Sequence, residues 1–194
     1  IRKLVTTILD LAQMNSLYMV SDLQEIQVRD MINQIIRDNA YLIHQKSLHV
    51  INTIPDEYSL FMSPMHFETV LGNLIGNAIK YSYINGNVTI HATDQKDSIL
   101  ISIQDEGIGI EPEHISRIFD EFYRADNSRH DRGSHGLGLT IVKRVVEMYH
   151  GSISVVSEGL GKGSIFYLTL KKNPEIYLKK RIGFIESVRQ RQGK

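Results

Sequence analysis

The 194-residue chain contains no cysteine, which excludes disulfides, thiolate catalysis and cysteine-ligated zinc. It has no net charge, since 22 Lys and Arg balance 22 Asp and Glu. No global field therefore favours nucleic acid or a membrane surface, and no nucleic-acid partner is expected. No apolar run is long enough to span a bilayer, and the first residues lack the layout of a signal peptide. Internal repeats and low-complexity tracts are missing as well. So is an initiator Met: the chain begins at Ile1 inside a helical pattern, which predicts a piece of a longer protein. What is present, 42% hydrophobic and 23% charged residues, is the composition of a soluble globular domain with one sizeable core.

Periodicity divides the chain into elements. Residues 1–19 place Ile1, Leu4, Val5, Ile8 and Met14 on one stripe, the spacing of an amphipathic helix that wants a partner helix. A short strand around Leu23 and Ile26 follows. The pattern then predicts one helix from about Asp30 to Lys46, with Ile32, Ile35, Ile36 and Ile43 inward. LHVINTI and YSLFM read as strands separated by a turn at Pro55-Asp56. Ser63-Pro64 reads as an N-cap and N1 proline opening a helix to about Tyr81. After an NGN turn, NVTIHAT and SILISIQD read as two strands. Residues 107–135 are loop-rich and polar apart from ISRIFDEFY. A helix from Leu137 to about Tyr149 stops at Gly151, a C-cap position, and SISVVS and SIFYLTL flank the turn EGLGKG. Residues 171–194 form a basic tail in which Leu178, Ile182, Ile185 and Val188 share a helical face. Hairpins with helices on one side predict an α+β two-layer sandwich, with a mixed, mostly antiparallel sheet.

Three stretches carry residues suited to chemistry. In PMHFETVLGNLIGNAIKYS, Asn73 and Asn77 lie four apart and project from one face, with Lys80 a turn further on. Exposure or capping accounts for either asparagine alone. As a set, their oxygens suit a hard cation such as Mg²⁺, which keeps several waters and its substrate phosphates, while the lysine meets phosphate. In QDEGIGI, Asp105 ends a strand where a carboxylate can accept from an amine, and Gly107 and Gly109 let backbone approach a flat ligand. An ordinary strand-to-loop turn has the same pattern. A dinucleotide fingerprint would need the glycines to open a helix directly, and Pro112 intervenes. In GSHGLGLTIVKRVVEMY the glycines do open a helix, whose free N–H groups suit phosphate oxygens. Neither this run nor GLGKGS at 159–164 is a Walker loop.

In order and spacing, these stretches resemble the ATP-binding catalytic domain of sensor histidine kinases, within the gyrase/chaperone/histidine kinase/mismatch-repair ATPase superfamily. HFETVLGNLIGNAIKYS matches the asparagine box, DEGIGI the first glycine box, IFDEFYRAD the phenylalanine box and GLGLTIVKRVVEMYHG the second glycine box. GKGSIFYLTL matches the closing strand, and LVTTILDLAQMNS resembles the second helix of the dimerisation hairpin. The resemblance covers roughly residues 1–171 and implies a Bergerat-type sandwich over 20–171. It makes 1–19 a remnant of the histidine-phosphotransfer hairpin and 172–194 a tail or linker helix.

The resemblance implies ATP and Mg²⁺ as ligands. Asn77 would chelate the metal, and Asn73 would support metal and phosphates. Lys80 and Arg124 would contact phosphates, and Tyr81 would line the pocket. Asp105 would accept the adenine amino group, Gly107, Gly109 and Ile110 would shape the adenine slot, and Ser164 would reach Asp105 through water. Gly136, Leu137, Gly138 and Leu139 would form the phosphate-side loop. Residues about 123–135 would be a lid, polar in keeping with that role. Phe119 and Phe122 would anchor it, or are plain core aromatics. His135 departs from the usual Gly-Gly-Thr or Gly-Gly-Ser, and either meets phosphate or faces solvent.

Asn73 also separates subfamilies. Gyrase-like ATPases carry a water-activating glutamate there, and asparagine cannot act as that base. This favours phosphoryl transfer over hydrolysis by an ATP-gated clamp, the competing reading, and over a degenerate module that only docks partners. None of the eight histidines fits the family's acceptor motif, so no autophosphorylation is expected. His150, before Gly151, reads as a helix cap, and His130 with His135 lack a third ligand for a metal. Implied partners are the phosphoacceptor domain of the same kinase, a second copy in the full-length dimer and a response regulator receiver domain. Implied placement is cytoplasmic, with a membrane anchor possible elsewhere in the protein. The basic tail fits an anionic partner, a receiver domain or a solvated linker.

Overall fold

A computed structural model describes residues 23–124 and 136–173. The expected N-terminal helix, most of the expected lid, His130, His135 and nearly all of the basic tail lie outside the described residues. The elements run β1 (Gln24–Gln27), α1 (Val28–Asp38), α2 (Ala40–Gln45), β2 (His49–Asn52), β3 (Ser59–Met62), α3 (Pro64–Tyr81), β4 (Asn87–Gln95), β5 (Ser98–Asp105), α4 (Pro112–Ile115), α5 (Gly138–Met148), β6 (Ser152–Val156) and β7 (Ser164–Lys171).

Five strands form one sheet in the order β2-β4-β5-β7-β6, and β1 pairs with β3 in a separate ribbon. The β2–β4 pair is parallel and the rest are antiparallel, as expected of a mixed, mostly antiparallel sheet. Alternation supplies the inner face: Val88, Ile90 and Ala92 on β4, Ile99, Ile101 and Ile103 on β5, and Phe166, Leu168 and Leu170 on β7 are all buried. Helices α1, α3 and α5 cover that face, with α3 packed against both of the others. Among the described residues, no helix is long and apolar enough to cross a membrane.

One expectation changes and two are sharpened. The helix expected over 30–46 is two helices broken at Asn39, whose side chain donates to the Ile35 carbonyl at 2.8 Å. An asparagine that bonds its own backbone competes with helix propagation. Ile32 and Ile35 are buried as expected, whereas Ile36 and Ile43 are only half-buried at the edge. The strands on either side of Pro55-Asp56 enter different sheets: Thr53 N–H extends β2 along β4 by donating to Ile90, while Val28 N–H donates to Tyr58 and sets β3 beside β1. Finally, α5 ends with His150, not Gly151, in the left-handed region (φ 55°). His150 N–H donates to Glu147 and Gly151 N–H to Val146, the Schellman pattern. Gly151 serves another need, since a Cβ there would overlap the Thr169 carbonyl of β7.

Candidate functional site

The helix α3 is the spine of the site. Phe67, Val70, Leu71, Leu74, Ile75 and Ile79 are fully buried, so the opposite face is left to Asn73, Asn77 and Lys80, all half-buried. The Asn73 amide nitrogen donates to the Thr69 carbonyl at 2.7 Å. That bond commits one of the two amide N–H donors and fixes the rotamer. Its oxygen then lies 2.6 Å from where a Cβ on Gly138 would stand. The second glycine box thus meets the asparagine box directly, and a side chain at 138 would displace the Asn73 amide. Lys80 places its ammonium 4.9 Å from the Tyr81 ring centroid, a cation–π contact at the C-terminal end of the same helix.

Gly138 opens α5, and Leu137 before it is buried. No side chain among the described residues caps the first turn of α5, whose opening residue Gly138 stands against Asn73. Thr140 is buried and donates to the Asp120 carbonyl at 3.1 Å, tying this turn to the phenylalanine box. Leu139 is half-buried against the core. Gly136 (φ 69°) packs on the backbone of Phe122 and Tyr123, which brings the start of α5 against the residues leading to Arg124. Arg124 itself is half-buried. Of the two expected anchors, Phe119 packs on the core, but Phe122 is 65% exposed with φ 60° and is no core aromatic. Tyr123 is held instead: its hydroxyl meets His114 Nδ1 at 2.6 Å, His114 Nε2 meets Glu111 at 3.1 Å, and Arg117 stacks over the ring.

At the other end of the groove, Asp105 closes β5 and is 5% exposed. It stands opposite Ser164 in the β5–β7 register, and the Ser164 hydroxyl donates directly to Oδ2 at 2.5 Å. The resemblance implied a link through water; the structure shows a direct bond as well. Burial pushes the Asp105 carboxyl above the ordinary carboxylate range, opposed by the Ser164 hydroxyl and by the N–H groups of Ser164 and Gly107. Gly107 bridges to Ser82, and a Cβ there would overlap the Tyr81 carbonyl. Ile108 N–H donates to that same carbonyl at 3.1 Å.

Sequence reasoning missed the far wall of this slot. The turn EGLGKG, read as a plain connection, is bonded across the first glycine box. Gly163 N–H donates to Gly107, and Gly161 N–H to Ile108. Ser157 accepts from Ile110 N–H at 2.9 Å and donates to the Gly163 carbonyl at 2.7 Å. Gly109 (φ 69°) lies against the Gly159 carbonyl. The glycine spacing of the turn was visible, but nothing local named its partner. Lys46 was also missed: it sits in an unremarkable polar stretch, yet reaches the end of α3.

The arrangement is a groove with a buried carboxylate at one end and, at the other, the start of α5 against the Asn73 amide, with no side-chain cap among the described residues. The donor set fits Mg²⁺ shared with phosphates: a lone amide oxygen such as that of Asn77 is a weak cage by itself, but suffices where phosphates and water supply the other ligands.

Residues 62–174 match the family model described as "Histidine kinase-, DNA gyrase B-, and HSP90-like ATPase". Among curated relatives, the heme sensor protein HssS of Staphylococcus saprophyticus is 36% identical over 78% of this chain and 32% of its own length. The sensor histidine kinase WalK of Bacillus subtilis is 33% identical over 89% of this chain and 29% of its own. The chain thus spans about a third of the length of these relatives. Among solved structures, the catalytic domain of histidine kinase ThkA superposes with a TM-score of 0.70 at 22% identity, covering 79% of this chain and 97% of that one. Full-length ShkA in complex with AMPPNP gives 0.73 at 24% identity, over 87% of this chain and 35% of that one. These likenesses, the Bergerat-type sandwich and the groove converge, and the chain belongs to the histidine kinase-, DNA gyrase B- and HSP90-like ATPase family.

Proposed function

We propose that this chain is the ATP-binding catalytic part of a sensor histidine kinase in a two-component system. It transfers the γ-phosphoryl group of ATP to a histidine on a dimerisation helix outside the described residues. The observation that carries this reading is the contact between Asn73 and the opening residue of α5. It sets a neutral amide, not a carboxylate, beside the N–H groups best placed to hold phosphate.

In this reading Asp105 accepts the adenine amino group while Ser164 holds the carboxylate in place. Gly107 and Gly109 leave the slot thin enough for a planar base. The first turn of α5, with Lys80 and Arg124, holds the phosphates, and Asn77 with Asn73 would hold Mg²⁺ against them. Bound there, Mg²⁺ would neutralise phosphate charge and orient the γ-phosphoryl group. In the transfer, the bond from the γ-phosphorus to the β–γ bridging oxygen breaks and one to the acceptor imidazole nitrogen forms. ADP keeps the bridging oxygen. Asn73 cannot deprotonate water, so the groove favours transfer over hydrolysis. The partners are then an acceptor-bearing dimerisation domain and, downstream, a receiver domain, with the domain on the cytoplasmic side of any membrane anchor.

Titrating the chain with Mg-ATP, then adding a dimerisation domain of a related kinase in trans, tests the reading. Binding is expected, followed by acid-labile, histidine-linked label on the added domain. Steady phosphate release with no acceptor would instead support the clamp ATPase reading, and absence of binding would overturn both. Asn77→Ala is expected to remove the gain in ATP affinity that Mg²⁺ gives, about tenfold or more for a lost ligand to a charged group.

A further inference from the structure

The C-terminal carbonyls of a helix lack intrahelical donors and carry its negative end. At the end of α3 they are collected by a residue from far away in the chain. The Lys46 ammonium donates to the carbonyls of Ile79 at 3.2 Å, Lys80 and Ser82 at 2.9 Å. Three protons thus meet three acceptors, and Tyr81 is passed over. Its carbonyl is the one that receives Ile108 N–H from the first glycine box, and it is the one Gly107 packs against. The backbone of Lys46 joins in, its carbonyl accepting Asn85 N–H at 2.9 Å, while His49 N–H donates to Gly86. Side chain and main chain together hold the turn that links α3 to the rest of the sheet. Lys46 is half-buried, and burial and the nearby charge of Lys80 both push its pKa down. An ammonium kept there against desolvation and a like charge is no ordinary surface lysine.

We propose that Lys46 is a positioning residue for the nucleotide: by capping α3 around Tyr81, it sets the adenine-side loop at Gly107–Ile108 in register with the phosphate-side face carrying Asn73, Asn77 and Lys80. Lys46 touches neither end of the nucleotide. It fixes the distance between them, and it rests on the ATP reading above.

The test uses the full chain and three ligands: Mg-ATP, adenosine and Mg-triphosphate, each competed against a fluorescent ATP analogue. In Lys46→Met, Mg-ATP affinity is expected to fall about tenfold, the scale of losing hydrogen bonds to a charged group. Adenosine and triphosphate, which each engage one end only, should change less than about twofold. Lys46→Arg should recover most of the Mg-ATP affinity. Hydrogen exchange should show a faster Ile108 amide in Lys46→Met, with the β4–β5 amides unchanged. Equal losses for all three ligands would reduce Lys46 to a structural prop, and no loss for any would remove its role. Either result overturns the inference. Should Lys46→Met not melt cooperatively, Lys46→Gln, which keeps a donor, carries the same comparison and the same outcomes. If the unsubstituted chain fails to bind Mg-ATP, the ATP reading falls first, which is a distinguishable result.

Discussion

The two glycine boxes look alike in sequence but are built on different physics. At its glycines, the first box is held by main chain. Ile108 bonds Tyr81, Gly163 bonds Gly107, Gly161 bonds Ile108, and Gly107 bridges Ser82. In the second box Gly136 also packs on main chain, but the start of α5 is held by side chains: Thr140 reaches Asp120, Leu137 is buried, and Gly138 abuts the Asn73 amide. Backbone contacts cannot move aside, whereas side chains can. Substitution of Gly107 in the first box should therefore strike the fold and the ligand together, and substitution of Gly138 in the second should strike the ligand alone.

The largest effect is expected at Gly107. A side chain there overlaps the Tyr81 carbonyl and crowds the Asp105 carboxylate. Gly107→Val should cost about 1–3 kcal/mol in stability through overpacking, measured by urea unfolding, and should abolish ATP binding. Retained stability would erase the contrast between the boxes.

Next comes Asp105→Asn, which separates fold from ligand at the adenine end. The folded pKa of Asp105 is raised by burial. Between its ordinary value of 3.8 and the raised folded value, the native state binds more protons than the unfolded state. The Asp105 contribution therefore makes stability fall as pH rises through that window and stays unfavourable above it. Asn is not ionised, so the variant should lose that slope in denaturation curves taken across acid pH. It should be no less stable than the parent at neutral pH, yet bind Mg-ATP at least about tenfold more weakly. A variant that is both less stable and still binding would contradict the assignment.

The smallest effect is expected at Gly138. A Cβ there meets only the tip of Asn73, which can turn away if its bond to Thr69 breaks. Gly138→Ala should leave the melting temperature nearly unchanged and weaken Mg-ATP by about three- to tenfold, the worth of one hydrogen bond. A loss of stability comparable to that of Gly107→Val would show that both boxes are structural.

These contrasts mark what the sequence could tell. The layer arrangement was readable because Val88, Ile90 and Ala92 alternate and because α3 carries an apolar face too wide for the surface. Asn73 and Asn77 were readable because helical spacing alone puts them together. The direct bond between Ser164 and Asp105 was not readable, because the β5–β7 register sets the two opposite one another, and register is not a local property. The break at Asn39 lay below the apolar periodicity, which continues through it. The EGLGKG wall and Lys46 were illegible for the same reason. Their partners lie dozens of residues away, and neither glycine nor lysine announces which carbonyl it will meet.

The account turns on Asp105 reading an amine at one end of the groove. Guanine presents a carbonyl oxygen where adenine presents its amino group, so the same carboxylate that accepts from ATP faces an acceptor in GTP. Calorimetric titration of the chain with Mg-ATP and with Mg-GTP tests this directly. ATP should bind at one site and GTP at least about tenfold more weakly. Equal affinities for the two would contradict the placement of the base at Asp105, and with it the assignment of the two glycine boxes to the two ends of one nucleotide.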